Sequence, residues 1–333
     1  MNKAAIVILN FNGKEVLSTF LPSVVTHSSY DIWIIDNASI DDSVELFTAN
    51  YPQINLISLG SNFGYAGGYN WGLKELRGKY EFFILLNSDV EVTAAWDRDL
   101  VDCLDGKPEY AALQPKILSW QDRKMFDYAG AGGGYLDVLG YPYCRGRIWN
   151  TLESDHGQYN DEVQVDWASG ACLVIRAADF FMQEGFDAHF FAHMEEIDLC
   201  WRLRRSGKKI GYLGAVTVFH QGGATLDRSS PKKLYLNIRN NLSMIYKNVN
   251  PLRFFEIIVA KSIMEMAAAL GYLMSGKKEH ALGVFRGYRD FFSGIENLER
   301  PIKKPEVDSS TSGPVKFIFW NYLVLRKRVF TQL

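Results

Sequence analysis

Four apolar runs in the first ninety residues, each broken off at or just before an Asn or Asp, constrain the fold more than any other feature. Residues 4–9 stop at Asn10, residues 32–35 at Asp36, residues 54–59 at Gly60 just ahead of Asn62, and residues 80–86 at Asn87. The first two, continuously apolar and β-branched rather than alternating, read as buried parallel strands, and the other two as further strands. Between them, residues 15–25 have helical spacing, Asp41-Asp42-Ser43 can cap a helix through about Ala49, and residues 65–76 read as a third helix. The β-α-β-α alternation predicts a doubly wound α/β sheet.

In such a sheet the strand ends lie together. Asn10 with Asn12, Asp36 with Asn37, Asn62 with Gly64, and Asn87 with Asp89 would all meet at the carboxyl edge, where open α/β sheets bind ligands. Local turn chemistry explains one polar strand end, but four in succession predict a site. The stretch from Gly60 to Gly68 either brings backbone N–H groups close to a phosphate or needs glycine for its turns. It lacks GK[ST] and misses the GxGxxG spacing, so the P-loop and dehydrogenase classes fail. Asn87 and Asp89 suit a hard divalent ion, Mg²⁺ or Mn²⁺, completed by substrate phosphates and water; a capping role is the other reading.

Residues 190–202 place Glu195, Glu196 and Asp198 beside an aromatic run. A helix from residue 195 to 206, ending at Gly207, puts Glu195, Asp198 and Arg202 on one face and turns Glu196 elsewhere. The charges then divide between a structural group and a free carboxylate, or they form a solvated acidic helix start. Residues 120–167, rich in Gly and Tyr, read as irregular hairpins or a mobile lid, with Arg145 and Arg147 meeting substrate or pairing on the surface. His220 closes an apolar run and precedes Gln221-Gly222-Gly223.

The formal net charge of -2 gives no electrostatic support for a nucleic-acid partner. Four cysteines without a CxxC pair argue against a zinc knuckle or a disulfide framework and for reduced thiols in a cytosolic protein. The N-terminal run reads as a strand, not a signal peptide. Residues 254–274 are interrupted by Glu256, Lys261 and Glu265, so a spanning helix is not expected. Residues 254–274, 280–292 and 315–330 have helical spacing, and Arg326-Lys327-Arg328 stands near the end. These helices either rest on an anionic inner-membrane surface or pack on the catalytic domain or a second subunit.

Taken in order, the NFNG strand end, Ile35-Asp36-Asn37-Ala38-Ser39, Asn62-Phe63-Gly64-Tyr65-Ala66-Gly67-Gly68, Leu86-Asn87-Ser88-Asp89, Glu195-Glu196-Ile197-Asp198-Leu199-Cys200-Trp201-Arg202 and His220-Gln221-Gly222-Gly223 resemble family 2 glycosyltransferases of the GT-A fold, with bacterial rhamnosyltransferase-like members nearest. The resemblance runs from about residue 4 to 245. It implies a Rossmann-like, mixed and mainly parallel sheet flanked by helices: a catalytic domain over residues 1–250 and a helical region over residues 251–333. It further implies inverting transfer from a UDP- or dTDP-sugar to a glycan or lipid-linked saccharide in surface polysaccharide synthesis. By the same resemblance the donor is held by Asn10, Asn12, Asp36, Asn37, Asn62, Gly64, Gly68, Asn87 and Asp89, and a divalent metal by Asp89 and His220. Glu196 matches the catalytic base, Glu195 and Asp198 stand beside it, Trp201 and Arg202 support the helix, and Arg239 of the Arg239-Asn240-Asn241 element lies near the acceptor side. Two departures stand out: Asn87 and Glu196 each occupy positions where many relatives have Asp. They leave open a catalytically inactive sugar-nucleotide-binding scaffold.

Overall fold

A computed structural model describes residues 1–222, 230–298, 313–314 and 317–333. Gly223, and residues 315 and 316 at the head of the expected last helix, lie outside the described residues. The first half alternates as the sequence predicts: β1 (Asn2–Asn10), α1 (Lys14–His27), β2 (Asp31–Asp36), α2 (Ser43–Asn50), β3 (Asn55–Ser58), α3 (Gly64–Glu75) and β4 (Tyr80–Leu86). β1 pairs in parallel with both β2 and β4, and β2 with β3. Because successive side chains point to opposite faces, Ala5 and Val7 pack with Ala66, Tyr69 and Leu73 of α3, while Ala4, Ile6 and Ile8 meet Leu17, Leu21 and Val24 of α1. Both faces are covered, which is why the strands read as unbroken apolar runs.

The rest of the chain extends this sheet. β5 (Val90–Glu91), α4 (Trp96–Asp105) and β6 (Tyr110–Ser119) follow; then come β7 (Gly134–Leu136), β8 (Pro142–Cys144), β9 (Arg147–Ile148) and β10 (Thr151–Leu152), which form a separate four-stranded sheet. Next are β11 (Glu162–Val165), β12 (Cys172–Arg176), α5 (Ala177–Met182), α6 (Glu195–Arg205) and β13 (Lys209–His220). The large sheet has nine strands in the order β11-β13-β6-β12-β4-β1-β2-β3, with β5 paired to the end of β13. β12 enters antiparallel between β4 and β6, so the sheet is mixed.

The small sheet corrects the expectation of a mobile lid. Tyr135, Tyr143 and Tyr159 are buried and pack against Phe330. Arg145 and Arg147 are not surface groups. Arg145 is buried between the rings of Tyr159 and Tyr212 and pairs with Asp161; Arg147 lies over Tyr128. Cation–π contact, which a charge pattern does not reveal, accounts for both.

Helices α7 (Pro231–Asn248), α8 (Pro251–Met274) and α9 (Lys278–Gly294) close the chain. α7 serves both regions: Met244 and Ile245 join the main core, while Leu242 joins Ile258, Ala281, Val284 and Phe291 of α8 and α9. Instead of a helix to residue 330, Trp320–Val324 forms one wide turn and Phe330–Gln332 a short tight one.

Candidate functional site

The first three strand ends meet in one hydrogen-bonded network. Asn10 is fully buried, and its amide Nδ2 donates to Asp36 Oδ1 at 2.9 Å, Ser43 Oγ at 2.9 Å and Ser39 Oγ at 3.1 Å. Asn12 lies in the left-handed region at φ 52° and accepts from the Ile40 backbone N–H through Oδ1 at 2.8 Å. Asn37 Nδ2 donates to Asn62 Oδ1 and to the Gly64 carbonyl, each at 3.0 Å, and Asn37 Oδ1 accepts from the Phe63 N–H. Gly64 has φ +71°, and a Cβ there would sit 2.6 Å from the Phe191 carbonyl oxygen, so glycine is required. Gly68 faces inward: its Cβ would lie 2.7 Å from Leu9 and 3.1 Å from Asn37 Nδ2, so its absence lets the helix reach the sheet.

Asn87 and Asp89 lie in a turn after β4 rather than along an extended strand, yet both reach His220. His220 Nε2 is 3.1 Å from Asp89 Oδ1 and 3.5 Å from Asn87 Nδ2, and Nδ1 is 3.0 Å from Asp127 Oδ2. Burial alone would push the imidazole down, but the two carboxylates, Asp89 foremost, raise it to about 10. Asp127 was not anticipated: it stands 93 positions from His220 in an irregular stretch with no motif around it. Among the described residues no group of three or more His, Cys, Asp or Glu is arranged to hold a metal ion. The 3.1 Å contact of Asp89 with His220 is a hydrogen-bonded ion pair, so the two suit one divalent ion only once His220 has released that proton.

On the other side of the cleft, α6 follows a strained loop. Phe191, His193 and Met194 all have positive φ, at 61°, 70° and 75°. Each such non-glycine residue costs on the order of 1–3 kcal/mol and persists only where its surroundings impose it. Here α7 imposes it. Asn240, fully buried, donates through Nδ2 to the carbonyls of Phe190 (3.0 Å), Ala192 (2.8 Å) and His193 (2.7 Å). Arg239 donates to the His189 and Phe190 carbonyls, so it grips loop backbone. The Phe191 carbonyl in turn accepts from the Tyr65 N–H at 2.7 Å, tying the loop to the start of α3.

The two glutamates part as the helical period predicts. Glu195 is buried and Glu196 partly exposed; each has one carboxylate oxygen, Oε2, without a hydrogen-bond partner among the described residues. Burial, then the charge of Glu196, pushes the Glu195 carboxyl well above the usual range. Burial raises Glu196 to about 7, while backbone N–H groups of Glu196, Ile197 and Gly170 pull it partway back. Gly170 and its neighbour Ala171 connect this carboxylate to the rest of the site: the Gly170 carbonyl accepts from Tyr65 Oη, and the Ala171 carbonyl from the Asn87 N–H.

Asp198 does not open onto the cleft. It is fully buried, accepts from Arg202 Nε (2.8 Å), Lys247 Nζ (3.0 Å) and Asn248 Nδ2 (2.8 Å), and so locks α6 to α7. Against the push of burial, Arg202 and Lys247 hold its carboxyl below the ordinary value. Arg202 also donates to the Gln183 and Gly185 carbonyls, and Trp201 is buried in the core. Lys247, a cation in the last turn of α7, is a partner that helix-dipole preference could have flagged.

Residues 5–127 match the family described as Glycosyl transferase family 2. An N-acetylglucosaminyl-diphospho-decaprenol L-rhamnosyltransferase of Mycobacterium tuberculosis is 27% identical over 245 residues, covering 69% of this chain and 79% of that one. The rhamnosyltransferase WbbL of Escherichia coli is 25% identical over 223 residues, covering 65% and 82%. Among solved structures, GalNAc-T7 with UDP, GalNAc and Mn²⁺ superposes with a TM-score of 0.59 at 14% identity, covering 91% of this chain but 59% of that one, less than two thirds of its length. The strand-end network, the acidic helix and these matches agree: the chain is a glycosyltransferase of the GT-A fold, similar over residues 5–127 to glycosyl transferase family 2 and, over most of its length, to rhamnosyltransferases.

Proposed function

We propose that this glycosyltransferase works by single displacement with inversion, moving a sugar from a UDP- or dTDP-linked donor to a hydroxyl of a glycan or lipid-linked saccharide. The observation that carries this reading is Glu196: a partly exposed residue at the carboxyl edge of the sheet, whose buried Oε2 has no partner among the described residues and whose affinity for protons is poised at about 7. A general base works best with a pKa near the operating pH. In the proposed step Glu196 takes the proton of the acceptor hydroxyl as that oxygen attacks the anomeric carbon and the bond to the diphosphate breaks. The network of Asn10, Asp36, Asn37 and Asn62 orients the nucleoside, and the loop from Asn62 to Gly64 presents backbone to it. Asn87 remains at the cleft as a neutral amide.

Asp89 and His220 would hold a divalent ion, Mg²⁺ or Mn²⁺, a choice supported by the Mn²⁺ bound to GalNAc-T7. Such an ion supplies Lewis-acid stabilisation of the charge that grows on the leaving diphosphate. Lipid-linked acceptors are favoured by the name of the mycobacterial relative, and they set the protein at work on the cytoplasmic face of a membrane, in peripheral contact with it. The test is Glu196→Gln, which should abolish transfer while calorimetry finds donor affinity nearly unchanged. Turnover like that of the wild type would remove Glu196 from its role, and donor hydrolysis absent even from the wild type would favour a scaffold.

A further inference from the structure

Helix α8 is long and apolar enough to cross a membrane by length and composition: 24 residues, with a mean hydropathy of 1.6 in its most apolar window. At 1.5 Å per residue it spans about 36 Å. Its inner face, however, is fixed to protein. Lys261 is fully buried, 3.0 Å from Glu265 and over the ring of Tyr141. The Tyr141 and Tyr288 hydroxyls each donate to Glu265 at 2.8 Å. A helix that crossed a bilayer apart from the domain would carry this pair into hydrocarbon, at a cost of several kcal/mol. Held by the pair, α8 lies along the domain instead.

Among the described residues nothing covers the opposite face. Leu252 (81% exposed), Phe255 (68%), Ile263 (69%), Leu270 (58%) and Met274 (82%) recur at helical spacing along its whole length. Beside them, across a groove of about 670 Å³, stand Phe317, Trp320, Leu323 and Val324, each at least half exposed. An exposed apolar surface this continuous marks an interaction site. Its charge names the partner. Arg326, Lys327 and Arg328 directly follow the apolar turn, and Lys277 and Lys278 follow the end of α8, although the chain as a whole carries -2. An apolar stripe flanked by cations, with Trp320 and Tyr322 between, matches the interface of an anionic bilayer. Two alternatives fit less well. Residues 299–312 hold only two large apolar side chains, Ile302 and Val307, too few to cover the stripe. A two-fold dimer through this face would bring the same cations together.

We infer that the outer face of α8 and the turn at Trp320–Val324 form a monotopic surface that lies in the headgroup region of an anionic lipid bilayer. This deepens the membrane-facing part of the reading above. The two can fail separately, because transfer to a soluble saccharide reads the chemistry and vesicle binding reads this face. The test is flotation of the full chain with phosphatidylcholine vesicles, with and without about a third phosphatidylglycerol. The wild type should float with the anionic vesicles and much less with the neutral ones. Ile263→Gln combined with Leu270→Gln should cut recovery at least tenfold while leaving the unfolding midpoint in place. Arg326→Gln, at an exposed position, and Lys327→Gln, at a half-buried one, should each weaken partition roughly fivefold. Absence of flotation, flotation indifferent to all four substitutions, or a wild-type dimer in light scattering that the double variant converts to monomer would overturn the inference.

Discussion

Replacing Asn240 by alanine should slow transfer about a hundredfold while costing only modest stability. The wild-type amide nitrogen serves three carbonyls with two protons. The Phe190 carbonyl keeps Arg239 as a donor when the amide is gone, so the carbonyls of Ala192 and His193 are the ones orphaned. Leaving two part-buried acceptors unpaired costs on the order of 2–6 kcal/mol. The strain held at His193 and Met194, at about 1–3 kcal/mol each, is of the same size. Once the bonds that impose it are lost, the loop can relax toward ordinary backbone angles and avoid most of that penalty. Relaxation moves the first turn of α6, which begins at Glu195, and a displacement of about 1 Å at a catalytic group is worth roughly a hundredfold in rate. The effect should therefore fall on kcat, with donor affinity within a few-fold of wild type, because Asn37 and Asn62 are untouched. Asn240→Asp makes the contrast: a carboxylate facing three carbonyls should destabilise more than alanine does. Steady-state kinetics with urea denaturation decide the matter. An Asn240→Ala enzyme with wild-type kcat, or one whose lost activity equals its unfolded fraction, would refute the claim that this amide holds the base in place.

Two further outcomes follow from the site. Because Glu196 must be unprotonated to act, kcat/KM should fall as pH drops below about 7, and the limb should be missing from whatever rate Glu196→Gln retains. The sign for stability is opposite to that of a salt-bridged carboxylate: the folded state binds this proton more tightly than the unfolded state, so burial of Glu196 destabilises the fold as pH rises from about 4.5 through about 7. Glu196→Gln should accordingly raise the urea midpoint at pH 8 and leave it unmoved at pH 4, values on either side of that window. Asp89→Ala should weaken UDP binding at least tenfold in calorimetry with Mn²⁺ present and much less without it, since one charge of the ion site is removed; equal affinities in both conditions would discard Asp89 as a metal ligand.

The half of the fold that sequence made legible is the half where burial is symmetrical. The central residues of β1, β2 and β4 are covered on both faces, so each strand runs apolar into its carboxyl end, which the next polar side chain marks. That one physical fact locates Asn10, Asp36 and Asn87 together without any knowledge of the turns between them. What stayed hidden depends on contacts between distant residues. The antiparallel entry of β12 between β4 and β6, the Asp127–His220 pair and the stacking of Tyr135 on Phe330 join segments that carry no local mark of each other. Residues 120–167 misled because glycine and tyrosine favour irregular loops on the surface and also permit close aromatic packing, and composition does not separate the two.

The acidic helix shows what periodicity alone can and cannot deliver. Spacing separates Glu196 from the face shared by Glu195, Asp198 and Arg202, and the folded helix follows that division. It does not reveal that Asp198 spends its charge on Lys247 and Arg202 while Glu195 meets no cation among the described residues. That difference has a chemical consequence. Two adjacent carboxylates in a dry site do not both ionise readily, so near neutral pH they carry one proton between them. Burial first and then the charge of its neighbour push Glu195 the further up, so the proton the pair shares is weighted toward Glu195. The readiness of Glu196 to act as a base thus rests on Glu195 staying neutral beside it, and Glu195→Gln, which fixes that neutrality, should shift the acid limb of the rate profile little.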